Sequence, residues 1–105
     1  MVFLFYFGGK MNKKYFKELE QKIYSIFPFV KISETEYSTT CQTEFSLSFY
    51  YKGSFNEFHI TVEDYLLDED IMEPDCIESI YNDIYHKMKS YIVNIIEQEE
   101  KQCIK

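Results

Sequence analysis

The stretch that decides the fold is "TEFSLSFYYKGSFNEFHITVED", residues 43–64. In its first part Phe45, Leu47, Phe49 and Tyr51 alternate with Glu44, Ser46, Ser48 and Tyr50. In its last part Phe58, Ile60 and Val62 alternate with Glu57, His59, Thr61 and Glu63. A period of two is the signature of a strand with one face on a core and one on water. Two such runs joined by a short glycine-containing link form a β-hairpin. With "GSFN", residues 53–56, as a four-residue loop, matching the apolar faces sets Tyr51 against Phe58, Phe49 against Ile60 and Leu47 against Val62. The polar face then pairs Lys52 with Glu57, Tyr50 with His59, Ser48 with Thr61 and Ser46 with Glu63.

Working outward, "FVKISETEY", residues 29–37, is rich in β-branched and aromatic residues and reads as a third strand. Before it, "NKKYFKELEQKIYSIF", residues 12–27, places Tyr15, Phe16, Leu19, Ile23, Ile26 and Phe27 three and four apart, one stripe of an amphipathic helix. Asn12 suits its N-cap, and Pro28 ends it. After the hairpin a long helix runs from about Pro74 to about Glu100, with Ile77, Tyr81, Ile84, Met88, Tyr91 and Ile95 in its stripe and Ile80, Tyr85, Ile92 and Ile96 widening it. Asp75, with Glu78 three positions on, is the expected cap. The expected fold is a two-layer α+β sandwich: helix, three-stranded antiparallel sheet, long helix, in the order α-β-β-β-α.

The 105 residues make one domain, residues 11–105, since a chain of this length buries roughly 65% of its unfolded surface without metal or disulfide. Residues 1–10, "MVFLFYFGGK", lack the basic start and cleavage site of a secretory signal and are too short to span a bilayer. Gly8-Gly9-Lys10 before Met11 can be encoded as a ribosome-binding sequence ahead of a start codon. The expectation is that residues 1–10 are a translated leader; the alternative is an extra hydrophobic strand. The chain has no Ala, Arg or Trp and abundant Lys, Ile, Tyr and Phe, the residue usage of an AT-rich genome such as a low-GC bacterium, its phage or its mobile elements.

Charge is unevenly distributed. Between Gly53 and His86 lie ten carboxylates and no Lys or Arg, in a chain of net charge −7. A chain without Arg, the usual bidentate reader of phosphate and guanine, is not expected to bind nucleic acid. Its field attracts basic partners. The odd number of cysteines, Cys41, Cys76 and Cys103, without C-x-x-C spacing, points to reduced thiols in a cytoplasmic protein.

No enzyme motif is present: no G-x-S-x-G, P-loop or G-x-G-x-x-G. His59 and His86 lack a second histidine or cysteine at ligand spacing; His59 reads as a surface partner of Tyr50, and His86 as a helix-surface partner of Asp83. An EF-hand loop starting at Asp68 fails at Met72 and Glu73. The expectation is no enzyme, no cofactor and no metal.

The α-β-β-β-α order resembles that of double-stranded-RNA-binding domains. That resemblance implies a basic cluster at the start of the last helix, and here the position reads "EPDCIESIYND", residues 73–83, of opposite charge. In size, charge and layout the chain is also similar to small acidic phage proteins that block CRISPR nucleases or other host nucleic-acid enzymes by mimicking DNA. The expected function is a non-enzymatic acidic inhibitor of this anti-CRISPR or DNA-mimic type. Its expected partner is a basic protein, bound through Glu63, Asp64, Asp68, Glu69, Asp70, Glu73 and Asp75 with Tyr65 as anchor. The alternatives are an immunity protein or antitoxin that neutralises a basic toxin, and a small interaction module forming a homodimer through its long C-terminal helix. No membrane association is expected.

Overall fold

The computed structural model describes residues 13–104, with side chains through Glu100. The expected leader or extra strand at residues 1–10, the Asn12 cap and the Cys103 side chain lie outside what is described. The elements run α1 (Lys13–Ile26), β1 (Lys31–Tyr37), β2 (Gln42–Tyr51), β3 (Ser54–Glu63), a 3-10 turn (Asp64–Leu67) and α2 (Pro74–Ile104). The sheet is antiparallel in the order β1-β2-β3. Both helices lie on one face of it, giving the α+β arrangement that the alternation implies.

The two faces separate cleanly on β2. Thr43, Phe45, Leu47 and Phe49 point under the helices, with Phe45 and Leu47 at 0% exposure. Tyr15, Leu19, Ile23 and Phe27 of α1 close over them, together with Ile77, Tyr81, Ile84, Met88 and Ile92 of α2. Ring contacts fix the layers: Phe16 lies 6.4 Å from Phe45, Tyr81 5.4 Å from Phe45, and Phe58 stacks on Tyr91 at 4.9 Å. Ile26, expected in the stripe, is turned outward at the end of α1. The buried stripe of α2 continues from Met88 to Ile92, with Tyr91 and Ile95 at its margin.

The hairpin register differs from the expected one. Leu47 faces Phe58, Phe45 faces Ile60, Ser46 faces His59, and Tyr50 faces Phe55. Each β2 residue therefore meets a partner four positions earlier than expected. The cause is the turn. Lys52 (φ 51°) and Gly53 (φ 86°) both take left-handed backbone, the pattern of a two-residue type I′ turn, whose twist matches that of the strands. Residues 54–56 are thereby released from the loop into β3. Because the shift is even, every side chain keeps its face, but the Lys52–Glu57 and Tyr50–His59 pairings do not form.

At 31 residues α2 is about 46 Å long, more than a ten-residue strand of about 33 Å can cover. Its far part reaches the hairpin, where the Tyr51 hydroxyl donates to Glu100 Oε2 at 3.2 Å and Lys52 Nζ lies 3.8 Å from the same oxygen. At its start the Glu73 carbonyl accepts from the amides of Cys76 and Ile77 at 2.9 and 3.2 Å. Glu73 is therefore the capping position, Pro74 opens the helix, and Asp75 sits inside the first turn instead of capping it.

A methyl group added at Gly53 would meet nothing within 4 Å, so the cost of Gly53→Ala is purely one of backbone conformation. Urea unfolding is expected to show a loss of about 1 kcal/mol. No loss would show that the two-residue turn does not set the register.

Candidate functional site

The acidic run begins where β3 ends and does not fold as one uniform surface. Glu63 is on the open face of the sheet, its Oε2 accepting from Gln42 Nε2 at 3.1 Å. One residue later the chain turns inward. Asp64 is half-buried, and its Oδ1 accepts from the Thr43 hydroxyl at 2.6 Å, while its amide donates to the Cys41 carbonyl at 2.9 Å. Thr43 is fully buried, so its hydroxyl requires this carboxylate. Asp64, expected to face a partner, is a structural residue tying the link to the centre of the sheet.

Asp68 is structural as well. Its carboxylate Oδ1 accepts from the Asp70 amide at 2.9 Å, and its carbonyl accepts from the amides of Ile71 and Met72 at 3.0 and 2.8 Å. This aspartate turn shapes the link between the buried Leu67 and α2. The remaining expected residues, Glu63, Tyr65, Glu69, Asp70, Glu73 and Asp75, are exposed. Tyr65 is 55% exposed and Ile71, which joins them, 61%.

Behind the link lies a second group of acids that the alternation pattern concealed. Glu34 faces Phe45 and Glu36 faces Thr43, so both point to the helix side of the sheet. Glu34 Oε2 accepts from the Tyr81 hydroxyl at 3.1 Å. Burial holds the Glu34 carboxyl above the ordinary range against the opposing effect of that hydrogen bond. Burial also raises Glu36, and the charge of Asp64 adds to it, while Lys13 pulls both glutamates down. The Tyr81 phenol is raised in turn, first by burial and then by the charge of Glu34.

The open sheet face carries Gln42, Glu44, Ser46, Ser48 and Tyr50 from β2, flanked by Tyr37, Glu57, His59 and Glu63. His59 does not pair with Tyr50. Its Nδ1 lies 3.0 Å from Ser46 Oγ and 3.1 Å from Glu44 Oε2, and its Nε2 lies 3.7 Å from Glu57 Oε1. Glu44 also accepts from the Tyr37 hydroxyl at 2.8 Å, which raises the phenol above its ordinary range. Tyr50 instead meets Phe55, ring to ring at 5.0 Å. On α2, Asp83 pairs with Lys87 at 3.1 Å and not with His86. Cys41 and Cys76 are free and exposed. Among the described residues no group of three or more His, Cys, Asp or Glu side chains is placed to hold a metal ion, and no helix is long and apolar enough to cross a membrane.

No family model, curated protein or solved structure matches the chain, so the reading of the site rests on its own geometry.

Two outcomes separate the inner acids from the outer ones. Thr43→Val leaves the Asp64 carboxylate without its donor and is expected to cost about 1–3 kcal/mol in urea unfolding. A loss below a few tenths would show that Asp64 is solvated after all. For Glu34 and Glu36 the folded-state pKa is raised above the reference value of 4.5. Their contribution is therefore fully present below pH 4.5 and is lost as pH rises through the folded-state values. Glu34→Gln, which keeps an acceptor for Tyr81, is expected to unfold at the same or a higher urea concentration than wild type at pH 7. It should also flatten the dependence of stability on pH above 4.5. A Glu34→Gln chain clearly weaker at pH 7 would overturn the assignment.

Proposed function

We propose that the protein is a non-enzymatic acidic binding protein whose β3–α2 face occupies a basic, nucleic-acid-binding surface of another protein, its carboxylates standing where backbone phosphates would lie. One observation carries this reading. Between the end of β3 and the first turn of α2, Glu63, Glu69, Asp70, Glu73 and Asp75 are exposed within one short run that contains no lysine, and the exposed Tyr65 and Ile71 stand among them. Large apolar anchors inside a charged rim are the composition of a protein interface. A solvated face serving only solubility needs the charges but not the anchors. The inward turns at Asp64 and Asp68 support the same reading, because they hold the intervening residues in a defined loop and so lower the ordering cost of binding.

The residue usage of an AT-rich phage or mobile element makes a host nucleic-acid enzyme, such as a CRISPR nuclease, the proposed target. A basic toxin met by an immunity protein would use the same face, and a toxin gene beside this one would favour that alternative. A homodimer through α2 has less support, since none of the exposed large apolar side chains lies on that helix between residues 74 and 100.

The test compares two charge reversals of equal size. Glu69→Lys with Asp70→Lys alters the loop and spares Asp68. Glu97→Lys with Glu99→Lys alters the far part of α2 and spares Glu100, which contacts the hairpin. The immobilised protein is used to capture basic proteins from the source host. The captured protein is expected to bind duplex DNA or RNA on its own, to be released by that duplex, and to associate more slowly as salt rises. The loop reversal is expected to weaken capture at least about tenfold, because like charges are set against a basic surface. The helix reversal should change it less than about twofold. Equal loss from both reversals would show that net charge alone acts, and a captured protein that nucleic acid cannot displace would sink the proposal.

A further inference from the structure

We propose that the outer edge of β3 pairs with the same edge of a second copy of the chain, joining the two sheets into one. β2 is the middle strand, so β1 and β3 each present an outer edge that no strand among the described residues occupies. Unpaired edges recruit other strands, and proteins blunt the edges that stay single with short strands, bulges, lysine, proline or inward-pointing charges. β1 carries several of these devices. It has seven residues, begins at Lys31, and aims Glu34 and Glu36 toward the helix side. β3 carries none of them. It has ten residues without lysine or proline, and its register with β2 runs unbroken from Ser54 to Glu63. Its inward side chains, Asn56, Phe58, Ile60 and Val62, are uncharged, and they are only half-buried where Phe45 and Leu47 on β2 are fully buried.

The turn decides which backbone groups this edge offers. Beside a two-residue turn the flanking pair, Tyr51 and Ser54, is hydrogen-bonded, and such pairs alternate along the ladder. The Asp64 amide, donating to the Cys41 carbonyl at 2.9 Å, keeps the same parity at the far end. Even-numbered residues of β3 therefore turn their amides to β2, and Phe55, Glu57, His59 and Thr61 turn theirs outward. A second β3, antiparallel and centred so that Phe58 meets Phe58, sets Phe55 opposite Thr61 and Glu57 opposite His59 on each side of the two-fold axis. About eight backbone hydrogen bonds form in that register.

Self-complementarity selects both the register and the occupant. Centred on Phe58, each Glu57 carboxylate faces a His59 ring of the other copy, a favourable cross-strand pair. Centred on Glu57 or on His59, the neighbouring registers set like against like. On the helix side a groove of about 390 Å³ lies between Phe58 and α2, lined by Ser90, Tyr91 and Asn94, where Phe58 stacks on Tyr91 at 4.9 Å. The Phe58 ring of the second copy arrives at the mouth of this groove and covers the half-exposed margin of the core. The chain's own start is a poorer occupant. Lys13, which opens α1, acts on Glu34 and Glu36, so the chain enters the fold beside β1, across the sheet from β3. The pairing ends at Val62, before the acidic link, and stands apart from the face proposed above.

The experiment follows the full chain over a wide concentration range by analytical ultracentrifugation and reads amide hydrogen exchange by NMR. A monomer–dimer equilibrium with a Kd on the order of micromolar is expected. The amides of Phe55, Glu57, His59 and Thr61 are expected to exchange at least about tenfold more slowly in the dimer than on dilution. Thr61→Pro removes one outward N–H and spares the ladder with β2, and it is expected to weaken dimerisation at least about tenfold with unchanged circular dichroism. Glu57→Lys, at an exposed position, is the second variant should Thr61→Pro not fold. It sets a cation against His59 of the other copy and is expected to weaken dimerisation at least about threefold. A chain that stays monomeric at millimolar concentration, a dimer whose four outward amides exchange freely, or a dimer that Glu57→Lys leaves unchanged would each overturn the proposal. Slow exchange of those amides in a monomer, lost when the chain begins at Met11, would assign the edge to residues 1–10 and overturn it equally. So would slow exchange that appears only in a complex of one copy with a captured protein.

Discussion

Everything in this fold follows from the need to keep one face of a three-stranded sheet dry with two helices. Phe45 and Leu47, in the middle strand, are completely buried, and the apolar stripes of α1 and α2 are the material that buries them. Two helices laid side by side cover one sheet face and no more. The opposite face is therefore left to water, and the sequence fills it with serine, glutamate, glutamine and tyrosine on β2. The same limit explains the length of α2: beyond the width of the core it continues along the hairpin and is held there by Tyr51 and Lys52 through Glu100.

How much of this can be read from the residues depends on what each residue pattern constrains. Alternation on β2 and β3 specifies which side chains face inward, and that much is legible, as are both helices and the element order. Alternation does not specify register, because any even shift leaves the faces unchanged. The register belongs to the turn, and the turn rests on Lys52 accepting left-handed backbone beside Gly53. Lysine gives no advance sign of that, whereas Asn-Gly or Asp-Gly would have. The direction of a carboxylate is equally hidden. Asp64 and Asp68 lie in the same acidic run as Glu69 and Asp70, yet they turn toward Thr43 and the loop backbone, because a buried hydroxyl and a tight turn need acceptors there. Glu34 and Glu36 were legible only as part of a strand. Their inward placement follows from the β1–β2 register that sets them opposite Phe45 and Thr43.

The acids therefore divide into two populations of different cost. Glu34 and Glu36 share the underside of the sheet with Asp64, and burial and mutual charge oppose their ionisation. Groups of this kind weaken a fold near neutrality, and the hydrogen bond from Tyr81 to Glu34 offsets only part of that. The outer acids are solvated, and each costs little alone. Their accumulation is another matter, since like charges within about 8 Å of one another repel even at physiological salt.

That repulsion has an available remedy in this chain, and its placement bears on function. Lysines are plentiful on α1, at positions 13, 14, 17 and 22, and lysine–carboxylate pairs form on α2 and at the hairpin. None is placed in the run from Gly53 to His86, where neutralisation would relieve the most repulsion. If solubility were the only demand, interspersed charges of both signs would meet it with less self-repulsion. The loop geometry adds to this: a strand end, a 3-10 turn and an aspartate turn hold the acids on a shaped backbone, with Tyr65 and Ile71 held out among them. A surface that concentrates one sign of charge, fixes its backbone and exposes apolar anchors gains nothing for the isolated chain. Its gain comes when the field is met by charge of the opposite sign. For that reason, on the reading proposed above, the β3–α2 link, more than the quieter network around His59, is where a basic partner is to be sought.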